Sequence, residues 1–265
     1  MALTESIGRN TINGLAYIGG LAKLGLRAAY FTFIAPFRGQ ALRLERAIHQ
    51  AMAVGVEALP ILSVITFFIG VILALQGAYE LRRFGALQYV ASAVAISMTR
   101  ELGPLMTAIV VIGRSGSAFA AEIGTMKVTE EIDALETMAL NPIQFLVTPK
   151  FLAMVVMMPC LTTWADFMGI LGGSLFGVTN AGFTFASYFR ATLDALYMRD
   201  VITGLIKSVM FGMTITAVGC YEGLCTGAGA EEVGRSTTAA VVMSIFLVIA
   251  VDLVFTALFY FTGAR

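Results

Sequence analysis

Six charged side chains stand inside or at the edge of stretches that otherwise suit lipid: Glu57, Arg100, Glu101, Asp166, Lys207 and Asp252. A charge at the centre of a membrane helix costs roughly 2.5–3.5 kcal/mol on insertion scales, so such groups persist by pairing or by facing water. Arg100 and Glu101 are neighbours in "AISMTRELGPLM". Adjacent side chains on a helix diverge by about 100°, so each is expected to pair with a different helix rather than with the other. Lys207 and Asp252, in the last two apolar stretches, form a candidate pair. Pro104 adds a polar feature of the backbone: its ring removes the N–H that would bond the carbonyl of Arg100. A free carbonyl and two charges at one depth require a neighbouring helix, water or a ligand head group. The residues alone leave two readings open, an ion-pair network that fixes helix register and a polar site for a ligand.

Other chemistry is excluded by what the chain lacks. His49 is its single histidine and lies outside the apolar stretches, so neither a metal cluster nor a Ser-His-Asp triad can be built. Cys160, Cys220 and Cys225 have no zinc-site spacing, and an odd number argues against a disulfide framework. The glycine-rich "GRSGSAF" at 113–119 lacks the lysine and spacing of a phosphate-binding P-loop. No metal, cofactor or catalytic residue is expected, and the chain is expected not to be an enzyme. Its formal net charge of zero gives no sign of a nucleic-acid partner.

The elements that hold these charges are set by composition. The 265 residues are 58% hydrophobic and 13% charged, against about 45–50% and about 25% in soluble domains. This is the balance of an integral membrane protein with one membrane domain. Apolar stretches at 58–79, 86–113, 151–178, 201–221 and 238–263 are each long enough to cross a hydrocarbon core. They lack the short alternation of barrel strands and read as helices. The stretch before them is different. "AAYFTFIAPF" at 28–37 is too short to cross, and Arg9, Lys23, Arg27, Arg38, Arg43 and Arg46 surround it, as in a helix lying at the membrane surface. Six basic residues before the first span place the N-terminus on the cytoplasmic side. Five crossings then put 122–150 and 222–237 inside, although Arg82 and Arg83 fall outside.

Two further patterns bear on function. In "KVTEEIDALETMALNP", residues 127–142, Thr129 is expected to cap a helix from Glu130 to about Leu140. Glu130 and Glu131 would sit in its first turn, where the helix dipole favours acids. Ile132, Leu135, Met138 and Ala139 would line one face, which suits a protein groove better than an anionic lipid surface. Gly169, Gly173 and Gly177 form a stripe of small residues, as do Gly116, Ala120 and Gly124. Such stripes bring helix backbones close, either within one subunit or between two.

The stretches "FFIGVILALQGAYELRRFGA", "SMTRELGPLMTAIVVIGRSGSAFAAEIGTMKVTEEIDALETMALNP" and "GLIKSVMFG" closely resemble the MlaE/YrbE-type permeases, from about residue 45 to the C-terminus. The resemblance implies the membrane subunit of an ABC transporter that moves phospholipids between the inner and outer membranes of bacteria. It implies a multi-pass homodimer in the inner membrane, a separate cytoplasmic ATPase, an MCE-domain protein on the outer side and often a STAS-domain protein. The expected fold is all-α: an N-terminal interfacial amphipathic helix, about five transmembrane helices, and a cytoplasmic coupling helix at about 127–142 between the second and third. Residues 1–50 would form the interfacial region and 51–265 the permease domain. By the same resemblance Arg100, Glu101, Lys207 and Asp252 are expected in the lipid pathway, with Phe68, Leu73 and Leu75 on acyl chains. Glu130, Glu131, Leu135 and Met138 are expected to meet the ATPase. The family has a basic residue near the position of His49, to which no role is carried. An ion-coupled secondary transporter with Glu101, Lys207 and Asp252 as a proton relay is the alternative, weakened by an odd span number and the lack of an internal repeat. A purely structural membrane anchor is a third reading.

Overall fold

A backbone in lipid has no water to bond, so it must satisfy its N–H and C=O groups within its own segment. Every regular element that the computed structural model describes, over residues 2–34, 44–180 and 182–261, is accordingly helical. The chain is an all-α, multi-pass membrane protein. Among the described residues, five composite helices are long and apolar enough to span a bilayer. They are α2 (Leu44–Arg83), α3 (Leu87–Val128), α5 (Ile143–Asn180), α7 (Met198–Leu224) and α8 (Ala230–Phe261). Three helices accompany them: α1 (Ala2–Ala29), α4 (Glu131–Thr137) and α6 (Phe185–Ala195). Arg38, Arg43 and the side chain of Arg9, three of the basic residues used to orient the chain, lie outside the described residues, as does the end of the fifth expected stretch beyond 261.

The spans are longer than the apolar stretches. The first begins at Leu44 rather than 58, because its opening turns are amphipathic. Ala47 and Val54 are buried there while Glu45, Arg46 and His49 are exposed, a pattern that averages to low hydropathy. A 3₁₀ turn at Val56–Ala58 then leads into the apolar part. The second span runs to Val128 and twice widens into a π turn, at Met98–Leu102 and Ile112–Gly116. π turns inside an α-helix concentrate at functional sites, and the first of these holds Arg100 and Glu101. Their helix ends with different chemistry. After α2, Gly85 adopts φ 65°, and Ala86 and Gly85 donate to the Leu81 and Arg82 carbonyls at 2.9 and 3.2 Å. This paired closure needs a left-handed residue, the role that glycine fills without strain.

α5 is the centre of the bundle and α8 its rim. Of the most apolar window of each, 61% is buried within the chain in α5 but 11% in α8. Leu62 of α2, Ile112 and Ile123 of α3, Met154 and Met158 of α5, and Phe211 and Ile215 of α7 form the main core. The glycine stripe of α5 is used inside the subunit. A Cβ at Gly173 would lie 2.7 Å from the Tyr188 hydroxyl, one at Gly177 2.6 Å from its ring, and one at Gly169 would overlap Met98. Gly70 of α2 meets the Gly169 carbonyl, and Gly172 meets that of Phe67, so α2 and α5 touch backbone to backbone. The second stripe also packs internally, against α7: a Cβ at Gly219 would come 2.8 Å from the Gly116 carbonyl.

Candidate functional site

The charges of α3, α7 and α8 converge. Asp200, Thr203 and Lys207 fall at i, i+3 and i+7 on α7, and Asp252, Thr256 and Phe259 at i, i+4 and i+7 on α8, so each set shares one helix face. Lys207 is the hub. Its side chain is 2% exposed. Nζ donates to Glu101 Oε2 at 2.7 Å and to Thr256 Oγ1 at 2.8 Å. Asp252 Oδ1 lies 2.9 Å from the same Nζ, an ion pair whose angle is outside hydrogen-bond geometry. Thr256 Oγ1 in turn donates to Glu101 Oε1 at 3.0 Å. The anticipated Lys207–Asp252 pair is present, and Glu101 joins it as a third member. Lys207 lies nine residues into α7, about 14 Å along its axis.

Arg100 points away from Glu101, as adjacent helical residues must, and finds a partner that the spacing had not suggested. Its Nε donates to Asp200 Oδ1 at 2.6 Å. The Asp200 side chain is 5% exposed and its Oδ2 accepts the Tyr197 N–H at 3.2 Å, closing the first turn of α7. The guanidinium is thus gripped at Nε by a carboxylate that is itself held by backbone. No described residue bonds its two terminal nitrogens, and the side chain stays 42% exposed.

The π turn explains how the pair is presented. The Gly103 N–H bonds the Met98 carbonyl five residues back. At that spacing the carbonyl opposite the missing N–H of Pro104 is that of Thr99, not Arg100 as a regular α-helix would require. The Thr99 carbonyl rests against the Cα of Gly204 on α7, where a side chain would collide with it. Backbone contact at Gly204 therefore sets how closely α3 and α7 approach, and with it the reach from Glu101 to Lys207.

These groups surround a cavity of about 330 Å³ lined by Arg100, Glu101, Thr203, Lys207, Thr256, Phe259 and Tyr260. Its wall combines one half-exposed guanidinium, one half-exposed carboxylate and two aromatic rings, with the lysine sequestered behind. Thr203, Thr256, Phe259, Tyr260 and Asp200 were missed from sequence. Their shared helix faces with Lys207 and Asp252 were the signal that pointed to them.

The remaining expected residues are placed elsewhere. Glu57 pairs with Arg114, whose Nη1 also donates to the Ala53 carbonyl at 3.3 Å. Asp166 packs its Oδ1 against the Cα of Gly103, buried and without a hydrogen-bond partner among the described residues. A further pair, buried Lys150 with Glu122 at 2.5 Å, holds the start of α5 to α3. Phe68 and Leu75 are exposed on α2, whereas Leu73 packs against a small cluster with Ala74, Ala78 and Val90.

The short helix differs from its expected form. α4 spans Glu131–Thr137, not 130–140, and Thr129 does not cap it. Thr129 instead closes the end of α3, and its hydroxyl donates back to the Thr125 carbonyl at 3.0 Å. The chain reverses instead at Glu130, with φ 61°. Leu135 and Ile132 are buried in the core, so this face holds α4 to its own subunit; Glu130, Glu131 and Met138 are exposed. At the far end Ala139, with φ 58°, closes the helix through Leu140 N–H to Leu135 carbonyl at 3.0 Å.

Comparison with known proteins agrees with this architecture. The family model described as Permease MlaE matches residues 47–258. A probable ABC transporter permease protein of Rickettsia conorii is 40% identical over 258 residues, covering 97% of this chain and 98% of its own. The intermembrane phospholipid transport system permease protein MlaE of Haemophilus influenzae is 36% identical over 217 residues, 82% and 83% of the two chains. The chloroplastic protein TRIGALACTOSYLDIACYLGLYCEROL 1 of Arabidopsis thaliana is 35% identical over 220 residues, 83% of this chain and 63% of the plant protein. With the match reaching into every spanning helix and including Arg100, Glu101, Lys207 and Asp252, the chain belongs to the MlaE permease family.

Proposed function

We propose that this chain is the membrane subunit of an ABC transporter that carries phospholipid, working as a homodimer in a bacterial inner membrane. The observation that carries the reading is the cavity at Arg100 and Glu101. A half-exposed guanidinium bonded only at Nε suits a phosphate, which Arg can bind through two parallel N–H groups. The relative named for phospholipid transport supports the choice of cargo. Phe68, Leu75 and the rest of the exposed apolar face of α2 would contact acyl chains, with Leu73 supporting that face from within. ATP hydrolysis would occur on a separate cytoplasmic subunit. That subunit would engage the exposed acids Glu130 and Glu131 with Met138, while Leu135 and Ile132 transmit the motion of α4 to the core. An MCE-domain partner on the outer side would receive or deliver the lipid, and a STAS-domain protein would bind the ATPase in the same complex. The exposed Ile12, Leu15, Ile18 and Leu26 of α1 suit a helix at the lipid surface.

The test is lipid transfer between proteoliposomes and acceptor vesicles by the complex purified with its co-expressed partners. Transfer is expected to need ATP, to fall with Arg100→Ala while assembly persists, and to fall with Glu130→Lys/Glu131→Lys. Co-purification of no ATPase would overturn the reading. The contact of Lys207 with both Glu101 and Asp252 keeps a proton-relay transporter as a second reading. Transfer that continues after the proton gradient is collapsed, and stops without ATP, rules it out.

A further inference from the structure

We infer that the cavity between α3, α7 and α8 selects a zwitterionic head group that carries a free amine, in preference to a net-anionic one. The inference rests on the lipid-permease reading and adds the class of head group. It follows from which charges reach the cavity and how the cluster sums. Two cations, Arg100 and Lys207, face three carboxylates, Glu101, Asp200 and Asp252, so the cluster carries one net negative charge. Of these five groups Arg100, Glu101 and Lys207 line the cavity, joined by the Tyr260 phenol, and Asp200 and Asp252 stand behind them as ion-pair partners. A lipid with a net negative head group would add charge of the same sign to that excess in a poorly screened place. A zwitterion adds none.

The charges that a head group can reach are also of two kinds. Lys207 is almost wholly withdrawn, at 2% exposure; two of its three donors are taken by Glu101 and Thr256, and Asp252 lies against the ammonium. Arg100 is 42% exposed and Glu101 40% exposed. They are consecutive residues of one π turn whose side chains diverge, and both line the cavity, so a cation and an anion reach the same chamber from two directions. The Arg100 terminal nitrogens can take the phosphate. The Glu101 oxygens, each with a single partner, retain lone pairs for an ammonium N–H. Phe259 and Tyr260 complete the wall, and aromatic faces attract a cation. Phosphate and ammonium of one lipid would thus span the chamber between Arg100 and Glu101.

The experiment is native mass spectrometry of the purified full chain with phosphatidylethanolamine and phosphatidylglycerol of identical acyl chains, added in equal amounts. A contact of this exposure is worth up to about 1 kcal/mol, so the amine lipid should be retained roughly fivefold over the glycerol lipid. Glu101→Gln should reduce the ratio toward one, and Tyr260→Leu, at an exposed position that leaves the ion cluster intact, should lower it in part. Equal retention of the two lipids by the unaltered chain, or preference for phosphatidylglycerol, would overturn the inference while leaving the lipid-permease reading in place. Retention of neither lipid would overturn both.

Discussion

Lys207→Met tests whether the ion cluster is one unit. The substitution keeps the length of the side chain and removes the single cation that Glu101, Asp252 and Thr256 share at 2.7 to 2.9 Å. Two carboxylates would then face each other at one depth with no counter-charge. Removing one partner of a buried pair costs about 3–5 kcal/mol. Asp252 is largely buried, whereas Glu101 is 40% exposed and partly relieved by solvent, so the lower half of that range, about 3–4 kcal/mol, is expected. Asp252→Asn alone should cost less, because Lys207 keeps Glu101. The informative variant is the triple change Lys207→Met, Glu101→Gln, Asp252→Asn. Replacing a whole buried ion cluster by neutral groups is often close to neutral in stability, so the triple variant should regain most of the lost stability. It should not regain lipid transfer, because the polar wall is gone. The assay is the SDS-unfolding midpoint in mixed micelles, followed by Trp164 fluorescence, beside the transfer assay on the same preparations. If Lys207→Met unfolds at the wild-type midpoint, or the triple variant is no more stable than the single one, the three groups do not act as a cluster.

Other positions give sharp contrasts. Gly204→Ala drives a methyl group into the Thr99 carbonyl and should cost about 1–3 kcal/mol by overpacking, whereas Gly19→Ala, in open space on α1, should gain about 0.8–1 kcal/mol of helix stability; unfolding midpoints check both. Ala139→Gly should stabilise the exit of α4 by about 1 kcal/mol, since a left-handed alanine is strained, and hydrogen exchange at Leu140 should slow. The Tyr17 hydroxyl donates to Glu222 at 2.5 Å, and burial first, with that bond second, raises its ionisation above the ordinary 10.0. The neutral phenol is favoured in the folded chain, so this contact is complete below pH 10 and weakens as pH rises above it. Protease cleavage within α1 should rise there in the wild type, and Tyr17→Phe should show the raised cleavage at neutral pH.

Much of the fold was legible because apolar length is a direct consequence of the bilayer. The five spans follow from it, and the polar opening of α2 and polar close of α3 were hidden for the same reason, since an amphipathic turn averages to low hydropathy. The site was legible in part. Intramembrane charge is costly, so Arg100, Glu101, Lys207 and Asp252 stood out, and two of them could be paired from their positions in the last two spans. Asp200 did not stand out, because an acid in the first turn of a helix already has a local role. The exit geometry of α4 was also invisible. Nothing in the residue types Glu130 and Ala139 favours a left-handed backbone. The glycine stripes left two uses open, and the shape of Tyr188 and the carbonyls of α2 decide for packing within the subunit.

The backbone-to-backbone seam between α2 and α5 divides the bundle mechanically. At Gly70–Gly169 and Phe67–Gly172 there are no side chains to bend, so separating the two helices a little forfeits the whole contact, and they translate together as a block. α8 sits at the other extreme, with 11% of its apolar window buried. It carries Asp252, Thr256, Phe259 and Tyr260, half of the lining and closure of the cavity. In terms of surface uncovered, swinging α8 is the least costly way to change the width of that chamber, and Lys207, anchored on α7 and holding Asp252 and Thr256 across the gap, is the latch on its hinge side.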